Sequence, residues 1–216
     1  TFLESDDRTT ALMMPGTDLL AELGAWEHIE ADATPMTTMR LIDGTRRLIR
    51  APTVTFEAHE IDQPAFGYNI VNRALNAALL QAVEAQPAIR IVDSMASSAS
   101  WGADQATVTL ANGEILQAKL VVASDGVNSL LRESASIGTR RWGYPQTAVV
   151  LTFEHSRDHG FISTEFHTER GPFAQVPMKG KRSSLVWVET PAEAERIAAL
   201  DGDTLAPMIE ERMQSM

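Results

Sequence analysis

The chain has 216 residues, 44% of them hydrophobic and 22% charged, so it can bury a sizeable core and is not a disordered segment. Its formal net charge of -11 argues against nucleic acid as a partner, because phosphate binding requires clustered Lys and Arg. The absence of cysteine excludes disulfides and thiolate metal sites and is compatible with a reducing cytoplasm.

In the first half of the chain, apolar residues recur at helical spacing in two places and alternate with polar residues between them. The predicted elements, in order, are a helix over 15–23, strands over 36–43 and 46–57, and a helix over 71–86. Gly24 is placed to end the first helix in a left-handed conformation, and Asp43-Gly44 is typical of a hairpin turn. Asn69 or Asn72 is positioned to cap the second helix.

The second half of the chain is mainly a series of short alternating runs, which are typical of strands. The predicted strands cover 89–92, 105–110, 115–118, 120–123, 147–154, 161–167, 173–177 and 183–189, and a helix follows over 203–213. Asn112-Gly113 predicts a hairpin turn after the second of these strands. In the last helix, Asp203 is a typical N-cap residue and Pro207 falls in the first turn.

The apolar run 120–123 is followed by Asp125, Gly126, Ser129 and Arg132. A buried strand that ends in an acidic residue and a glycine places a carboxylate and backbone N–H groups at the carboxyl edge of a sheet, where nucleotide cofactors bind in open α/β folds. Taken alone, Asp-Gly is also typical of an exposed turn.

The spacing of these four residues resembles the Asp-Gly motif of flavin-dependent aromatic hydroxylases. Two further stretches narrow the resemblance to the ubiquinone-biosynthesis hydroxylases: DRTTAL at 7–12, and GPFAQVP at 171–177 leading into RSSLVW at 182–187. The three motifs occur in the family's order and approximate spacing. The resemblance therefore covers nearly the whole chain.

The resemblance implies an α+β fold with an antiparallel substrate-domain sheet and a partial FAD-binding α/β domain. The FAD-binding part is expected over 1–35 and 69–135, and the substrate-binding part over 36–68 and 136–216. The family's Gly-x-Gly-x-x-Gly turn, which binds the FAD pyrophosphate, does not occur in this sequence, and its later Gly-Asp motif would fall beyond Met216. We therefore expect a central fragment that is inactive by itself.

The implied activity is that of a monooxygenase that hydroxylates the aromatic ring of a ubiquinone precursor, with FAD as cofactor and NAD(P)H and O2 as co-substrates. No catalytic residue can be named, because the cofactor carries the difficult chemistry and the protein mainly orients the ring. Two alternatives stay open. One is a flavin hydroxylase of a small soluble aromatic compound, and the other is a non-enzymatic binding module derived from this fold.

Four residues are candidate cofactor contacts: Arg8, Arg73, Asp125 and Gly126. By resemblance, Arg8 matches an arginine that reaches the FAD pyrophosphate, a role that suits the guanidinium fork. Arg73 begins the second helix, whose N-terminus attracts anions, although both arginines are also typical of solvated surface residues. Asp125 would accept a hydrogen bond from a ribose hydroxyl or orient Arg8, and Gly126 would let the backbone approach a phosphate.

Aromatic and histidine residues complete the candidates. Trp187, Phe166, Phe173, Met178 and Tyr68 are candidates to line a substrate pocket, but aromatic residues on alternating strands are more often core. The two histidines of the segment 155–159 are four residues apart in a predicted loop without a third ligand, so we expect no metal site.

The substrate expected from the resemblance is a small aromatic compound or a prenylated phenol. No apolar stretch approaches the roughly 20 residues needed to span a bilayer, and we expect a cytoplasmic protein. Peripheral contact with the inner membrane, contact with another protein of ubiquinone biosynthesis, and homo-oligomer formation stay open.

Overall fold

A computed structural model of the chain describes residues 6–213, and the parts of the predicted domains that fall on 1–5 and 214–216 lie outside the described residues. The chain divides into a larger unit, Thr1–Gln86 with Pro145–Met216, and a smaller unit, Pro87–Tyr144. These compact units have other boundaries than the FAD-binding and substrate-binding ranges expected above. Those functional ranges stay a prediction.

Residues 6–213 form twelve strands and five α-helices. The strands are β1 (Thr9–Met13), β2 (Thr34–Met36), β3 (Thr38–Asp43), β4 (Val54–Glu57), β5 (Gly67–Val71), β6 (Ala96–Trp101), β7 (Ala106–Leu110), β8 (Ile115–Ala118), β9 (Thr147–Glu154), β10 (Ile162–Thr168), β11 (Gly171–Met178) and β12 (Arg182–Glu189). The helices are α1 (Met14–Glu22), α2 (Asn72–Glu84), α3 (Leu130–Ser134), α4 (Pro191–Ala198) and α5 (Gly202–Arg212). None of the helices in this described part is long and apolar enough to cross a membrane.

The larger unit contains two sheets and the smaller unit one. In the larger unit, β1-β5-β2 is antiparallel, and the six-stranded sheet β4-β3-β10-β11-β12-β9 is antiparallel except for the parallel pair β3 and β10. The smaller unit has the antiparallel sheet β6-β7-β8. The predicted α+β fold is confirmed, and so is the antiparallel sheet predicted over 147–189.

The core of the six-stranded sheet is built on three aromatic side chains. The rings of Phe166 and Phe173 meet edge to face with centroids 5.8 Å apart, and those of Phe173 and Trp187 do so at 5.4 Å. Ile197 of α4 and Ile209 of α5 belong to the same buried cluster. The three aromatic residues proposed as pocket lining are core residues that attach the C-terminal helices to the sheet, and two of them, Phe166 and Phe173, also line a groove of this unit.

A second core joins α2 to the three-stranded sheet. It is formed by Ile29, Ile70 and Ala78, with the rings of Trp26 and Tyr68 packed edge to face at 4.9 Å. Burying one face of α2 against β5 places the first turn of that helix beside the start of β1, where the candidate residues Arg8 and Arg73 lie.

Two predicted strands of the smaller unit are wrong. Residues 89–92 and 120–123 are not strands, and β6 instead falls within 94–102, between the first two predicted strands of this unit. The side chains of Leu120 and Val122 are 78% and 74% exposed. An apolar run becomes a strand only where a neighbour supplies ladder hydrogen bonds and cover, and no described strand of this unit pairs with it.

The predicted tight hairpin at Asp43-Gly44 is a longer loop. β3 ends at Asp43 and pairs with β4, but β4 begins only at Val54. The Asp43 carboxylate accepts hydrogen bonds from the backbone N–H groups of Thr45 at 3.0 Å and Ala51 at 2.9 Å. These contacts, with the Thr45 hydroxyl as the largest cause, lower the pKa of Asp43 to about 2. The Asp43 side chain therefore closes a longer loop through local hydrogen bonds, where the sequence predicted a tight turn.

The predicted helix caps are also corrected. The N-cap of α2 is Val71, because Asn69 is a buried residue of β5 and Asn72 already belongs to the helix. The N-cap of α5 is Asp201, whose carboxylate accepts a hydrogen bond from Thr204 N at 2.9 Å. Pro207 consequently lies inside this helix rather than in its first turn.

The predicted turns at Gly24 and Gly113 are confirmed. Gly24 follows α1 with φ = 70°, and Gly113 has φ = 87° in the turn between β7 and β8. Both values lie in the left-handed region that favours glycine. Sequence therefore predicted these turns from their own residues.

We expect Gly67→Ala to destabilise the larger unit strongly. A Cβ at this position would overlap the carbonyl oxygen of Leu12 and lie 2.7 Å from Cα of Met13, so only backbone could move. The expected loss of unfolding free energy is about 3 kcal/mol or more, measured by urea denaturation. Gly202→Ala is the control, since nothing lies within 4 Å of its added Cβ, and an equal loss there would contradict the prediction.

Candidate functional site

The N-terminal segment of the larger unit is tied to α2 by the carboxylate of Asp6. Oδ1 and Oδ2 each accept a hydrogen bond from the Arg8 guanidinium, from Nε and one Nη, both at 2.8 Å. The Asn72 amide donates to Oδ2 at 3.0 Å. The Asp6 side chain is only 8% exposed, whereas that of Arg8 is 59% exposed. Asp6 thus fixes a guanidinium that still faces solvent.

These contacts keep Asp6 ionised. The Arg8 guanidinium, and then the Asn72 amide, hold the pKa of the Asp6 carboxyl well below its usual range. The Asn72 carbonyl oxygen in turn accepts a hydrogen bond from the Thr10 hydroxyl at 2.6 Å. The cluster is therefore charge-paired at neutral pH and rigid on the side that faces α2.

The first turn of α2 already binds backbone carbonyls. Asn72 N donates to the carbonyl oxygen of Arg8 at 2.8 Å, and Arg73 N donates to that of Asp6 at 3.0 Å. The Arg73 side chain is 53% exposed, and its Nε donates to Asp7 at 2.6 Å. Any anion held here would therefore contact the guanidinium groups rather than these two N–H groups.

In the smaller unit, the predicted Asp-Gly motif forms a local network. Asp125 accepts hydrogen bonds from the Ser129 hydroxyl at 2.5 Å and from Leu131 N at 3.3 Å. Ser129 caps α3 by accepting from Arg132 N at 3.0 Å. The Ser129 hydroxyl is the main cause that lowers the pKa of Asp125. The carboxylate is ionised, exposed and oriented by the start of the helix.

Gly126 has φ = 88°, and nothing lies within 4 Å of a Cβ added there. A side chain at this position would meet no neighbouring atom, but it would strain the left-handed backbone. Asp125 and Gly126 thus form an exposed turn, and this turn is also the segment that resembles the Asp-Gly motif. Contact of these two residues with a cofactor stays a prediction.

A cavity of about 150 Å³ lies in the larger unit between the two sheets. Its lining includes Thr9, Asn69, Val71, Arg73, Met178 and Arg182. Asn69 is 3% exposed, and its Oδ1 has no hydrogen-bond partner among the described residues. Its Nδ2 donates to the carbonyl oxygen of Pro177 at 2.9 Å, which fixes the orientation of the amide, because a flipped amide would oppose two oxygens.

A larger groove of about 820 Å³ in the same unit has a satisfied carboxylate in its wall. Glu189 is fully buried and is bound by Arg170 at 3.1 Å, Arg212 at 2.7 Å and the indole N–H of Trp187 at 3.2 Å. Two cations and one neutral donor account for this charge. We assign Glu189 to anchoring α5 on the sheet.

The paired histidines bind the protein itself. His155 makes hydrogen bonds through Nδ1 to the carbonyl oxygen of Arg157 at 2.7 Å and through Nε2 to the Ser183 hydroxyl at 3.0 Å. His159 Nε2 lies 2.9 Å from the carbonyl oxygen of Met178. Between residues 6 and 213, no group of three or more His, Cys, Asp or Glu could hold a metal ion.

Sequence reasoning did not identify Asp6 and Asn69 as site residues. The signal for Asp6 was its position two residues before Arg8, since alternate residues of an extended segment share a face. The signal for Asn69 was a polar residue between Gly67 and Ile70 in a short run that proves to be a buried strand. Both depend on burial, which neighbouring sequence does not reveal.

A family model described as "FAD binding domain" matches residues 6–214 of this chain. The ubiquinone hydroxylase UbiL of Rhodospirillum rubrum is 35% identical over 208 residues, which cover 96% of this chain and 47% of that protein. The 3-demethoxyubiquinol 3-hydroxylase of Escherichia coli is 32% identical over 199 residues, covering 90% and 49%. The chain spans about half the length of these relatives.

Solved structures share the fold. PqsL from Pseudomonas aeruginosa, a probable FAD-dependent monooxygenase, superposes with a TM-score of 0.77 at 18% identity, covering 96% of this chain and 57% of PqsL. HpxO from Klebsiella pneumoniae, complexed with FAD and uric acid, gives 0.69 at 18% identity, covering 95% and 52%. At such identities the likeness establishes the architecture alone.

We expect Asp6→Asn to lower the melting temperature in a pH-dependent way. A carboxyl whose pKa is depressed by folding stabilises the protein above its unfolded pKa of about 3.9, and this stabilisation is lost as the pH falls toward the folded pKa. The gap between wild type and variant should therefore be largest near neutral pH and shrink below about pH 4. Asp104→Asn, at an exposed turn, is the control; a gap independent of pH would contradict the prediction.

Proposed function

The chain belongs to the family of FAD binding domains, and from this premise we propose that its protein is an FAD-dependent monooxygenase that hydroxylates the aromatic ring of a ubiquinone precursor, using NAD(P)H and O2. The observation that carries the proposal is the 35% identity to a ubiquinone hydroxylase over 96% of this chain. The shared architecture with PqsL agrees with it.

In the larger unit, Arg8 and Arg73 fit an anionic part of FAD. Each arginine side chain is more than half exposed, and each guanidinium is bound by an aspartate, Asp6 or Asp7. An oriented guanidinium binds phosphate oxygens with less loss of side-chain entropy than a free one. We assign them to phosphate binding, as part of an FAD-binding domain that comprises 1–35 and 69–135.

In the smaller unit, we propose that Asp125 and Gly126 also contact the cofactor. The Asp125 carboxylate is ionised and exposed, so it can accept hydrogen bonds from ribose hydroxyls. The left-handed Gly126 turns the backbone just beyond it without a side chain. Both groups suit a polar, hydroxyl-bearing ligand.

Bound FAD would supply the oxygen-activating chemistry, which no side chain provides by itself. The residues of this chain would hold the cofactor, orient the aromatic ring and exclude water. We propose that the substrate-binding part, 36–68 and 136–216, performs the last two tasks through its sheet.

The 150 Å³ cavity is a candidate position for the phenolic hydroxyl of the substrate, because its lining is largely polar and includes Asp32, Thr34, Asn69, Arg73, Lys179 and Arg182. Asn69 Nδ2 already donates to Pro177 and Ser184, so Oδ1 is the polar atom that Asn69 can offer to a ligand. A buried acceptor without a donor costs about 1–3 kcal/mol, and a phenolic hydroxyl would remove that cost. We assign Asn69 to orienting the substrate hydroxyl.

A prenylated phenol dissolves in lipid rather than water. We therefore propose a protein that works in the cytoplasm and collects its substrate at the surface of the inner membrane. Contact with other proteins of ubiquinone biosynthesis and homo-oligomer formation stay predictions.

We expect the 216-residue chain to bind FAD with a dissociation constant below about 10 μM, or roughly -7 kcal/mol. Flavin fluorescence and melting temperature are followed in one titration. Arg8→Gln, Arg73→Gln and Asp125→Asn should each weaken binding by about 10-fold to 100-fold, because a hydrogen bond to a charged group contributes about 1.5–3 kcal/mol.

The controls for this titration are Arg90→Gln, which also removes an ion-paired arginine, and Asp104→Asn. Neither should change the affinity. Absence of saturable binding, or equal losses in control and test variants, would contradict the assignment of these residues to FAD.

We expect phenol to bind the chain more tightly than anisole, which has the same ring but no hydroxyl proton to donate to Asn69. Ligand-observed NMR gives both dissociation constants. A difference of about 5-fold is consistent with one neutral hydrogen bond of about 1 kcal/mol. Asn69→Leu should abolish the difference and Asn76→Ala should retain it, whereas equal binding of both ligands to the wild-type chain would mean that Oδ1 binds only water.

A further inference from the structure

The loop between β3 and β4, residues 44–53, exposes an adjacent pair of large apolar side chains. Leu48 is 101% and Ile49 is 86% exposed, so each is almost entirely in water. Isolated exposed apolar residues are ordinary on protein surfaces, but loop tips normally carry small or polar residues. Two adjacent aliphatic residues at a tip therefore indicate a surface that meets an apolar phase.

The loop is held in place at its base. The Asp43 carboxylate bonds to backbone N–H groups at both ends of the loop, those of Thr45 and Ala51. From β10–β11 of the same unit, Glu169 accepts a hydrogen bond from Arg46 N at 2.8 Å. The tip is consequently presented outward by a fixed base.

Positive charge is concentrated around the apolar pair. Arg46, Arg47 and Arg50 flank Leu48 and Ile49 on both sides, and no acidic residue occurs from 44 to 56. All three arginines are exposed. This local run of positive charge is opposite in sign to the net charge of the whole chain, which is -11.

We propose that this segment, which we call the arginine loop (residues 44–53), is a peripheral membrane anchor that inserts Leu48 and Ile49 into an anionic lipid surface. The guanidinium groups would bind headgroup phosphates while their aliphatic stems lie along the acyl boundary. At an anionic lipid surface the acyl chains lie directly beneath the charged headgroups. A loop with two aliphatic side chains directly beside arginines has the same arrangement of apolar and charged groups.

The membrane anchor rests on the proposed function, in which the protein collects a lipid-soluble substrate at the membrane surface. It can nevertheless fail separately from the proposed function, because vesicle binding requires neither flavin nor substrate. Conversely, loss of FAD binding would leave the vesicle result unchanged. The anchor is confined to the larger unit and does not involve Arg8, Arg73 or Asn69.

The test is sedimentation of the 216-residue chain with vesicles of phosphatidylcholine alone and of phosphatidylcholine mixed equally with phosphatidylglycerol. We expect partition onto the anionic vesicles that weakens with added salt. The double variant Leu48→Ser with Ile49→Ser should bind about 10-fold less well or worse, because both side chains lose their apolar insertion.

Replacing the three arginines distinguishes charge from insertion. Glutamine at 46, 47 and 50 should reduce binding to anionic vesicles about 100-fold, which corresponds to about 1 kcal/mol for each basic residue, whereas lysine at the same positions should largely retain it. The matched control is Ile89→Ser with Ile91→Ser, an exposed aliphatic pair of the smaller unit at 50% and 52% exposure. Melting temperatures verify that each variant is folded.

Absence of binding to either vesicle would overturn the proposal. So would equal binding to neutral and anionic vesicles, or an equal loss in the Ile89 and Ile91 control. A protein partner, rather than lipid, would be indicated if the loop variants changed self-association in cross-linking while vesicle binding was absent, and that result also overturns the lipid anchor.

Discussion

One residue, Asp6, joins the segment that carries Arg8 to the first turn of α2, which carries Arg73. Its oxygens hold the Arg8 guanidinium and the Asn72 amide, while its backbone carbonyl accepts the N–H of Arg73. An ionised group so little exposed is stable only while all these donors are present. The start of β1 and the start of α2 are therefore fixed to each other by Asp6 together with the bonds that Arg8 and Thr10 make to Asn72, and the side chains of Arg8 and Arg73 are both exposed.

Features encoded by nearby residues could be predicted from the sequence. The alternation of β9 to β12, the apolar face of α2 and the glycine turns at Gly24 and Gly113 each follow from the residues within one element. Features that require a distant partner could not. The run 120–123 has the composition of a strand but no pairing neighbour among the described residues, and the loop after Asp43 depends on a carboxylate reaching Ala51.

The residues of the candidate site also fall into those that nearby sequence indicates and those that depend on distant partners. Arg8, Arg73, Asp125 and Gly126 could be proposed because their residue types suit phosphate and ribose, and the relation of Asp125 to Ser129 is local. The importance of Asn69 could not be anticipated, since its unpaired oxygen exists only because β5 packs against β11 and β12. Burial converts an ordinary surface amide into a specific acceptor, and burial is a property of the fold.

The parallel pair β3 and β10 has a consequence for synthesis in the cell. Thr38 pairs with Ile162, so one edge of β3 has no partner on the ribosome until well over a hundred further residues have been translated. The smaller unit emerges whole in that interval and contains its own sheet. An unpaired strand edge exposed for several seconds is a site for misassembly, because translation proceeds at about 5–20 residues per second. In the nascent chain, the edge of β3 that later pairs with β10 therefore stays exposed longest among the strand edges that become paired in the six-stranded sheet.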